Sequence, residues 1–403
     1  MKRFRLNKIH ITSLITAFML ILVFVALDYL FLQDKTSDQV LRIGFVYDGD
    51  ESTPYSANFI RAQREIENTY GDRVVCDVKS NVSEVEGEQA IRDLAKDGCG
   101  LIFTTSYGFG EAAKKLAAEY PQIQFCQATC DNANTEPVLS NYHTFMGEIY
   151  EGRYIAGVVA GMKLRDLIDT GQIKAGEAKV GYVGAFPYAE VISGYTAFLL
   201  GVRSVAPEAV MYVKYTDSWS DYYKERKYAD QLINEGCVII SQHSDTIGPA
   251  VACEETDVSH PVFHVGYNQS MIDVAPTTAL ISTRINWDRY MLAAVNAVLS
   301  NKKIEDAVKG HKHGYDTGAG FEQEWVQMMD LNEHIAAPGT ANMIKRLVSA
   351  FQSGTIEVFK GDYTGTNPSD PSDTIDLSAG YQENANASAP SFYYVLDDVI
   401  KVE

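Results

Sequence analysis

Two short apolar runs, LRIGFVYDGD at 41–50 and KVGYVGAFPY at 179–188, each break into a loop containing Gly or Asp and then into a helical pattern. A continuous apolar run of that length with a helix behind it marks a strand buried on both faces, so each run predicts the opening of its own parallel α/β sheet. Two sheets mean two lobes. Open parallel sheets bind ligands beyond the carboxyl ends of their strands, and two such sheets in one chain form a cleft where those ends face each other. Function is therefore sought in the loops that follow strands.

The pattern continues along the chain. Strand candidates at 42–48, 73–79, 99–105, 123–128 and 140–145 alternate with amphipathic stretches such as SANFIRAQREIENTYG and GEAAKKLAAEYP. A second series near 179–185, 209–215, 237–242 and 262–267 alternates with AEVISGYTAFLLGVRSVAP, SDYYKERKYADQLINEG and TIGPAVACEETD. Such βα alternation calls for right-handed crossovers and parallel sheets. The run TALISTRINW (278–287) predicts a further strand, and the helix after it, DRYMLAAVNAVLSN, is expected to pack back on the first lobe. Several crossings between lobes make a hinge that suits closure around a ligand. From Gly361 the chain is rich in Asp, Ser, Pro, Asn and Gly and reads as a long surface excursion ending in a strand within SFYYVLDDVIKVE. The expected division is residues 1–35 as a stub and membrane segment, 36–145 plus about 282–312 as the first lobe, and 146–281 plus about 313–403 as the second.

The start carries Lys2, Arg3, Arg5 and Lys8, followed by ITSLITAFMLILVFVALDYLFLQ, about the length that crosses a hydrocarbon core. The basic flank orients the amino terminus inside and everything after it outside. Phe24 before Ala26 is a poor match to a cleavage site, and no Cys follows the apolar stretch to take a lipid, so a single uncleaved N-terminal helix in the cell membrane is predicted, with a cleaved signal as the alternative. The formal net charge of −19 disfavours nucleic acid and anionic lipid surfaces as partners. The six cysteines lie scattered through predicted strands and helices and are expected as buried free thiols; Cys126 and Cys130 have no His or second Cys pair to complete a zinc pattern.

Enzyme signatures fail in turn. Gly108, Gly110 and Ala113 match a G-x-G-x-x-A turn at a helix start, yet in the third βα unit and without the acidic residue that would hold a ribose. No G-x-S-x-G and no P-loop is present. His243 and Asp245 have no nucleophile in reach by sequence, so no catalysis, no cofactor and no metal is expected. What the post-strand loops do offer is rings and amides. Tyr55, Tyr107, Phe186, Trp219, Tyr267 and Trp287 fall in or beside them, and a flat heterocycle can be clamped between two such rings. Asp48 and Asp245 can accept from a ring N–H or amine, Asn268 and Gln242 offer both donor and acceptor, and Ser56, Ser106 and His243 add polar contacts. Asp48 serves equally well as a helix cap, and Glu151 and Arg153 read as a solvated helix face.

The segments FMGEIYEGRYIAGVVAGMK, KVGYVGAFPYAEVISGYTAFLLGVRSVAP, GCVIISQHSDT and HVGYNQSMIDVAP resemble, in matching order over about Arg42 to Val358, the basic membrane protein family of solute-binding proteins, which includes the purine nucleoside receptor lipoproteins. The resemblance implies a type I periplasmic-binding fold that delivers purine nucleosides or bases to an ABC permease. PYS at 54–56, Trp219, QHSDT and INWDRYM look most like the nucleobase-binding members. The nucleoside receptors carry an Asp-x-Ser-Phe-Asn run in the first loop and a Lys after a late strand. Here the first loop reads DGDESTPYSAN, Arg284, Asn286 and Trp287 stand near the place of that Lys, and Asn268 stands where the family usually has Asp. A membrane-anchored sensor that reports a ligand to a signalling partner, and a sugar-binding relative of the same fold, are the alternatives.

Overall fold

The computed structural model describes residues 40–403; the predicted membrane segment within 1–35 lies outside them, and among the described residues no helix is long and apolar enough to cross a bilayer. The first lobe opens with β1 (Leu41–Val46), α1 (Pro54–Tyr70), β2 (Val74–Lys79), α2 (Gly87–Lys96), β3 (Leu101–Thr104), α3 (Gly110–Glu119), β4 (Gln124–Ala128) and β5 (Tyr142–Gly147). Pro54 at the first turn of α1 is pre-set for a helix start, where its missing N–H is no loss. The chain then crosses into α4 (Ile149–Asp169) and builds β6 (Lys179–Gly184), α5 (Ala189–Arg203), β7 (Val210–Tyr215), α6 (Tyr222–Asn234), β8 (Ile239–His243), α7 (Gly248–Glu255), β9 (Phe263–Tyr267) and β10 (Ala279–Ile285). It returns to the first lobe with α8 (Asp288–Leu299), α9 (Ile304–Ala307), β11 (His311–His313) and β12 (Asp316–Ala319). The last crossing leads to β13 (Val326–Met328), α10 (Thr340–Gln352), β14 (Thr364–Asn367), β15 (Asp370–Asp376), β16 (Val395–Leu396) and β17 (Ile400–Val402).

The first sheet has the order β11-β12-β5-β4-β3-β1-β2 and the second β13-β10-β9-β8-β6-β7-β17. Within each, the first five strands of the lobe run parallel in the same sequence, with the order turning back between the first and third strand. Loops leaving the strands on either side of that reversal diverge and leave a crevice. In the first lobe these are the loops after β1 and β3, and in the second those after β6 and β8. The two crevices supply the walls of one cavity.

The segment returned to the first lobe runs from α8 to β12 and not from 282 to 312. The apolar strand β10 stays paired to β9 in the second sheet through Thr283, and β12, whose polar sequence DTGA gave no strand signal, pairs parallel with β5. Glu151 and Arg153 also depart from expectation. Helix α4 has no solvated face along its first turns, so Glu151 is buried and Arg153 is 0% exposed. None of the six cysteines forms a disulfide, and all but Cys76 are buried. The C-terminal strand β17 adds in parallel to the outer edge of the second sheet through β7, while β14, β15 and β16 form a small separate sheet.

Candidate functional site

Between the lobes lies a cavity with about 380 Å³ of space free of protein atoms, counting the part open to solvent. The first lobe contributes Asp48 after β1, Tyr55 in the first turn of α1, Ser106 and Tyr107 after β3, and Thr129 after β4. The second contributes Glu190 in the first turn of α5, Trp219 after β7, His243 and Asp245 at and after the end of β8, and Tyr267 at the end of β9.

Several of these side chains are held from behind. Ser56 Oγ donates to Asp48 Oδ1 (3.0 Å) and accepts from the Gly49 amide (3.1 Å), which fixes the loop after β1. The Tyr55 hydroxyl donates to the Thr105 carbonyl (2.6 Å) and so joins that loop to the one after β3. The Gly108 amide and the Ser106 hydroxyl both donate to Glu84 Oε1 (3.0 and 2.7 Å). A carboxylate of the protein itself thus occupies the donors of the G-x-G-x-x-A turn that would otherwise suit a phosphate.

Across the cleft, Trp219 packs edge-on against Phe186 (centroids 5.5 Å apart) and beside Tyr188 (6.2 Å), and Tyr188 reaches Tyr107 of the first lobe at 6.2 Å. The Asp245 amide donates to the Trp219 carbonyl (2.8 Å), and Asn268 Nδ2 donates to Asp245 Oδ1 (3.2 Å). Asn268 takes a left-handed backbone, φ 66°, which brings its amide back towards Asp245. His243 Nε2 lies 3.4 Å from Glu190 Oε1 and its ring stands 5.0 Å from that of Tyr267. Behind Tyr267 the Arg153 guanidinium sits 3.7 Å from the ring centroid and donates to the Gln242 carbonyl at 2.8 Å.

The cavity is electrostatically one-sided. Burial pushes the Asp245 carboxyl well above its ordinary range, the neighbouring carboxylates of Asp48, Glu225 and Glu190 push the same way, and the Asn268 amide opposes them. Burial raises Asp48 as well, against the pull of the Ser56 hydroxyl. His243 is driven down to about 4 by burial and by the Arg153 charge, so it is neutral at physiological pH. Among the described residues no group of three or more His, Cys, Asp or Glu side chains comes together in a way that would hold a metal ion.

Of the residues the sequence singled out, Asp48, Tyr55, Ser106, Tyr107, Trp219, His243, Asp245 and Tyr267 line the cavity. Ser56, Asn268 and Phe186 stand one layer behind, supporting Asp48, Asp245 and Trp219 in turn. Gln242 and Trp287 are elsewhere. The Gln242 amide donates inward to the Ser244 and Thr246 carbonyls (3.0 and 2.7 Å), shaping the loop that carries Asp245 from underneath. Trp287 is 1% exposed and stacks on Phe59 (4.3 Å) with its edge to Phe145, because the crossing from β10 to α8 folds the indole into the core between α1 and β5. Arg284 does not line the cavity; its guanidinium donates to Gln327 Oε1 at 3.0–3.1 Å. Thr129 and Glu190 were missed as candidates, although both occupy post-strand positions.

The loop of Asp245 also depends on Glu225, a fully buried residue of α6 that accepts from Ser244 Oγ (2.8 Å) and the Thr246 amide (3.2 Å). Burial raises Glu225 to about 7, and Glu151, which accepts from the Phe321 amide at the hinge, to about 8. Both acids hold their proton longer in the folded chain than in the unfolded one. The stability they contribute is therefore complete below the ordinary carboxylate value and is lost as pH rises through about 7 and then about 8. The melting temperature should fall between about pH 5 and 8.5, and Glu151→Gln should flatten the upper part of that decline; a series of melting curves in matched buffers checks both.

Two doubly wound lobes whose switch points face each other across a cavity of rings and carboxylates define a solute-binding protein of the periplasmic-binding fold. The family described as ABC transporter substrate-binding protein PnrA-like matches residues 40–319, and the chain belongs to it. Over 290 residues, 71% of this chain and 77% of the relative, it is 31% identical to a purine-binding protein of Brucella abortus. It is also 29% identical over 265 residues to a putative ABC transporter glucose-binding protein of Haloferax volcanii, which covers 66% of this chain and 62% of that one. Among solved structures, an ABC transporter system solute-binding protein from Aeropyrum pernix superposes with a TM-score of 0.63 at 15% identity, covering 78% of this chain and 92% of that one, which supports the fold.

Proposed function

We propose that this chain captures a purine base or nucleoside between its lobes, outside the cell, and hands it to an ABC permease. The observation that carries the reading is the convergence of Tyr55, Tyr107 and Tyr267 with Trp219 on one cavity beside Asp48, Asp245 and Glu190. Rings grip the two faces of a planar heterocycle, and carboxylates accept from its edge. The purine-binding relative supports the same ligand class. An apolar N-terminal stretch behind four basic residues supports an uncleaved membrane anchor with the lobes outside; cell fractionation combined with protease accessibility in intact cells tests this.

Ligand binding to the folded state raises its melting temperature, so a thermal-shift screen of bases, nucleosides and sugars on the full-length protein in detergent tests the ligand. A purine should give the largest shift. Trp219→Ala should weaken that ligand by about tenfold or more, equivalent to ~1.4 kcal/mol, while leaving the circular dichroism spectrum unchanged. Glucose is the second reading, motivated by the Haloferax relative; a shift by glucose with none by any purine would replace the first.

A further inference from the structure

Three short crossings join the lobes, at residues 148, 286–287 and 320–325, and rotation about them swings one lobe away from the other. A fourth connection is not part of the backbone path. It lies in the extension beyond the family match, which ends at residue 319. Glu383 accepts from Ser193 Oγ at 2.6 Å, and Ser193 sits one turn after Glu190 on α5, the helix whose first turn lines the cavity. Five residues on, the loop has reached the first lobe. The Ser388 amide and hydroxyl donate to Asp316 of β12 at 2.5 and 2.6 Å, and Ser388 fills the place of a side chain on Gly318, where an added Cβ would stand 3.1 Å from its Cβ and 3.2 Å from its Cα.

Between these anchors the loop is stiff. Asn384, with a left-handed backbone (φ 57°), donates through Nδ2 to the carbonyls of Ala387, Ser388 and Ala389 at 3.2, 2.6 and 3.0 Å. Phe392 stacks on Phe359, whose ring meets Tyr150 in the first turn of α4, beside the first crossing (5.7 Å). The anchors also resist breaking. Asp316 and Ser388 are buried, and without Ser388 the Asp316 carboxylate would keep, among the described residues, a donor only in Thr144 Oγ1. A buried carboxylate short of donors is unfavourable. Rotation about the crossings moves Ser193 relative to Asp316, and a stiff loop held at both ends opposes that movement.

We infer that residues 383–392 act as a strap across the hinge that limits how far the two lobes open. The strap works whatever solute the cleft takes. Its hold on α5, one turn from Glu190, keeps the second-lobe wall of the cavity close to the first lobe, where Tyr188 already reaches Tyr107 at 6.2 Å.

Double electron–electron resonance on the full-length protein in detergent, before any solute is added, tests this. Spin labels at Val85→Cys, in the loop after β2, and Tyr223→Cys, in the first turn of α6, report the separation of the lobes from two highly exposed sites. A Cys76→Ser background removes the one native thiol that is not buried. Gly318→Val, which pushes Ser388 off β12, should lengthen the distance by more than about 2 Å or spread it towards longer values. Ser388→Ala, which keeps the amide bond to Asp316, should act in the same direction to a smaller extent, and carries the test if circular dichroism shows that Gly318→Val does not fold. Distances unchanged or shorter in the folded variants would overturn the inference and leave the extension a purely stabilising appendage.

Discussion

Replacing Gly157 by Ala should destabilise the protein by about 3 kcal/mol or more, although Ala is the better helix former by about 1 kcal/mol. Gly157 lies within α4, which packs along α5, and a Cβ added to it would stand 2.0 Å from the carbonyl oxygen of Phe198. The contact recurs one turn on and from the opposite side. A Cβ at Gly161 would fall 2.5 Å from the Val202 carbonyl oxygen, and one at Gly201 would fall 2.1 Å from that of Tyr154. The obstacles are backbone atoms, so no side chain can rotate to make room, and the two helices would have to separate along their length. Propensity and packing thus predict opposite signs for one substitution. Gly176, where an added Cβ meets nothing within 4 Å, provides the control: Gly176→Ala should change the urea midpoint little, while Gly157→Ala should lower it sharply. A stabilised Gly157→Ala would mean that the helices do not approach as described.

The alternation of strands and helices was legible because parallel strands buried on both faces are largely apolar, as β3 and most of β1 and β6 are; β8 is buried throughout but ends in the polar Ser241, Gln242 and His243. From that alternation the place of the site followed, since the switch points of two such sheets fall after known strands. The rule found Asp48, Tyr107 and Asp245 without any knowledge of contacts. It failed where burial had another cause. Trp287 also follows a strand, but β10 leads into a crossing between lobes, and the residue after a crossing packs in the core of the hinge. Gln242 is the penultimate residue of β8, where the two-residue alternation of the strand decides between facing the cavity and supporting it. β12 stayed hidden because DTGA draws its stability from sitting beside β5, with Asp316 accepting from Thr144 Oγ1 at 2.8 Å, and not from an apolar pattern of its own. Arg153 was unreadable for the same reason: its counterpart is the face of Tyr267, more than a hundred residues away in sequence.

The region after the family match, residues 320–403, rests on a second set of buried carboxylate contacts, and Glu383→Ala should cost about 3–5 kcal/mol. Glu383 is 2% exposed. Its carboxylate accepts from Ser193 Oγ of α5 (2.6 Å), from the Ser391 amide and hydroxyl (2.5 and 2.7 Å), and from the Phe392 and Asn384 amides (3.1–3.2 Å). Truncation would leave these donors facing one another in a space with little access to water, and each buried group without a partner costs about 1–3 kcal/mol. Five residues further on, Ser388 donates through its amide and hydroxyl to Asp316 of β12 in the first lobe (2.5 and 2.6 Å). One short loop therefore fastens to α5 on one side of the hinge and to β12 on the other. Loss of the Glu383 contacts should release that loop first, so that limited proteolysis of Glu383→Ala begins within 383–392 while the two lobes stay intact. Glu383→Gln, which keeps an acceptor oxygen, should recover part of the lost stability. A Glu383→Ala protein whose unfolding free energy lies within about 1 kcal/mol of the parent would show that water or a rearranged loop satisfies those donors, and that the extension is held chiefly by the packing of Phe359 on Phe392 (centroids 4.5 Å apart) and by the pairing of β17 with β7.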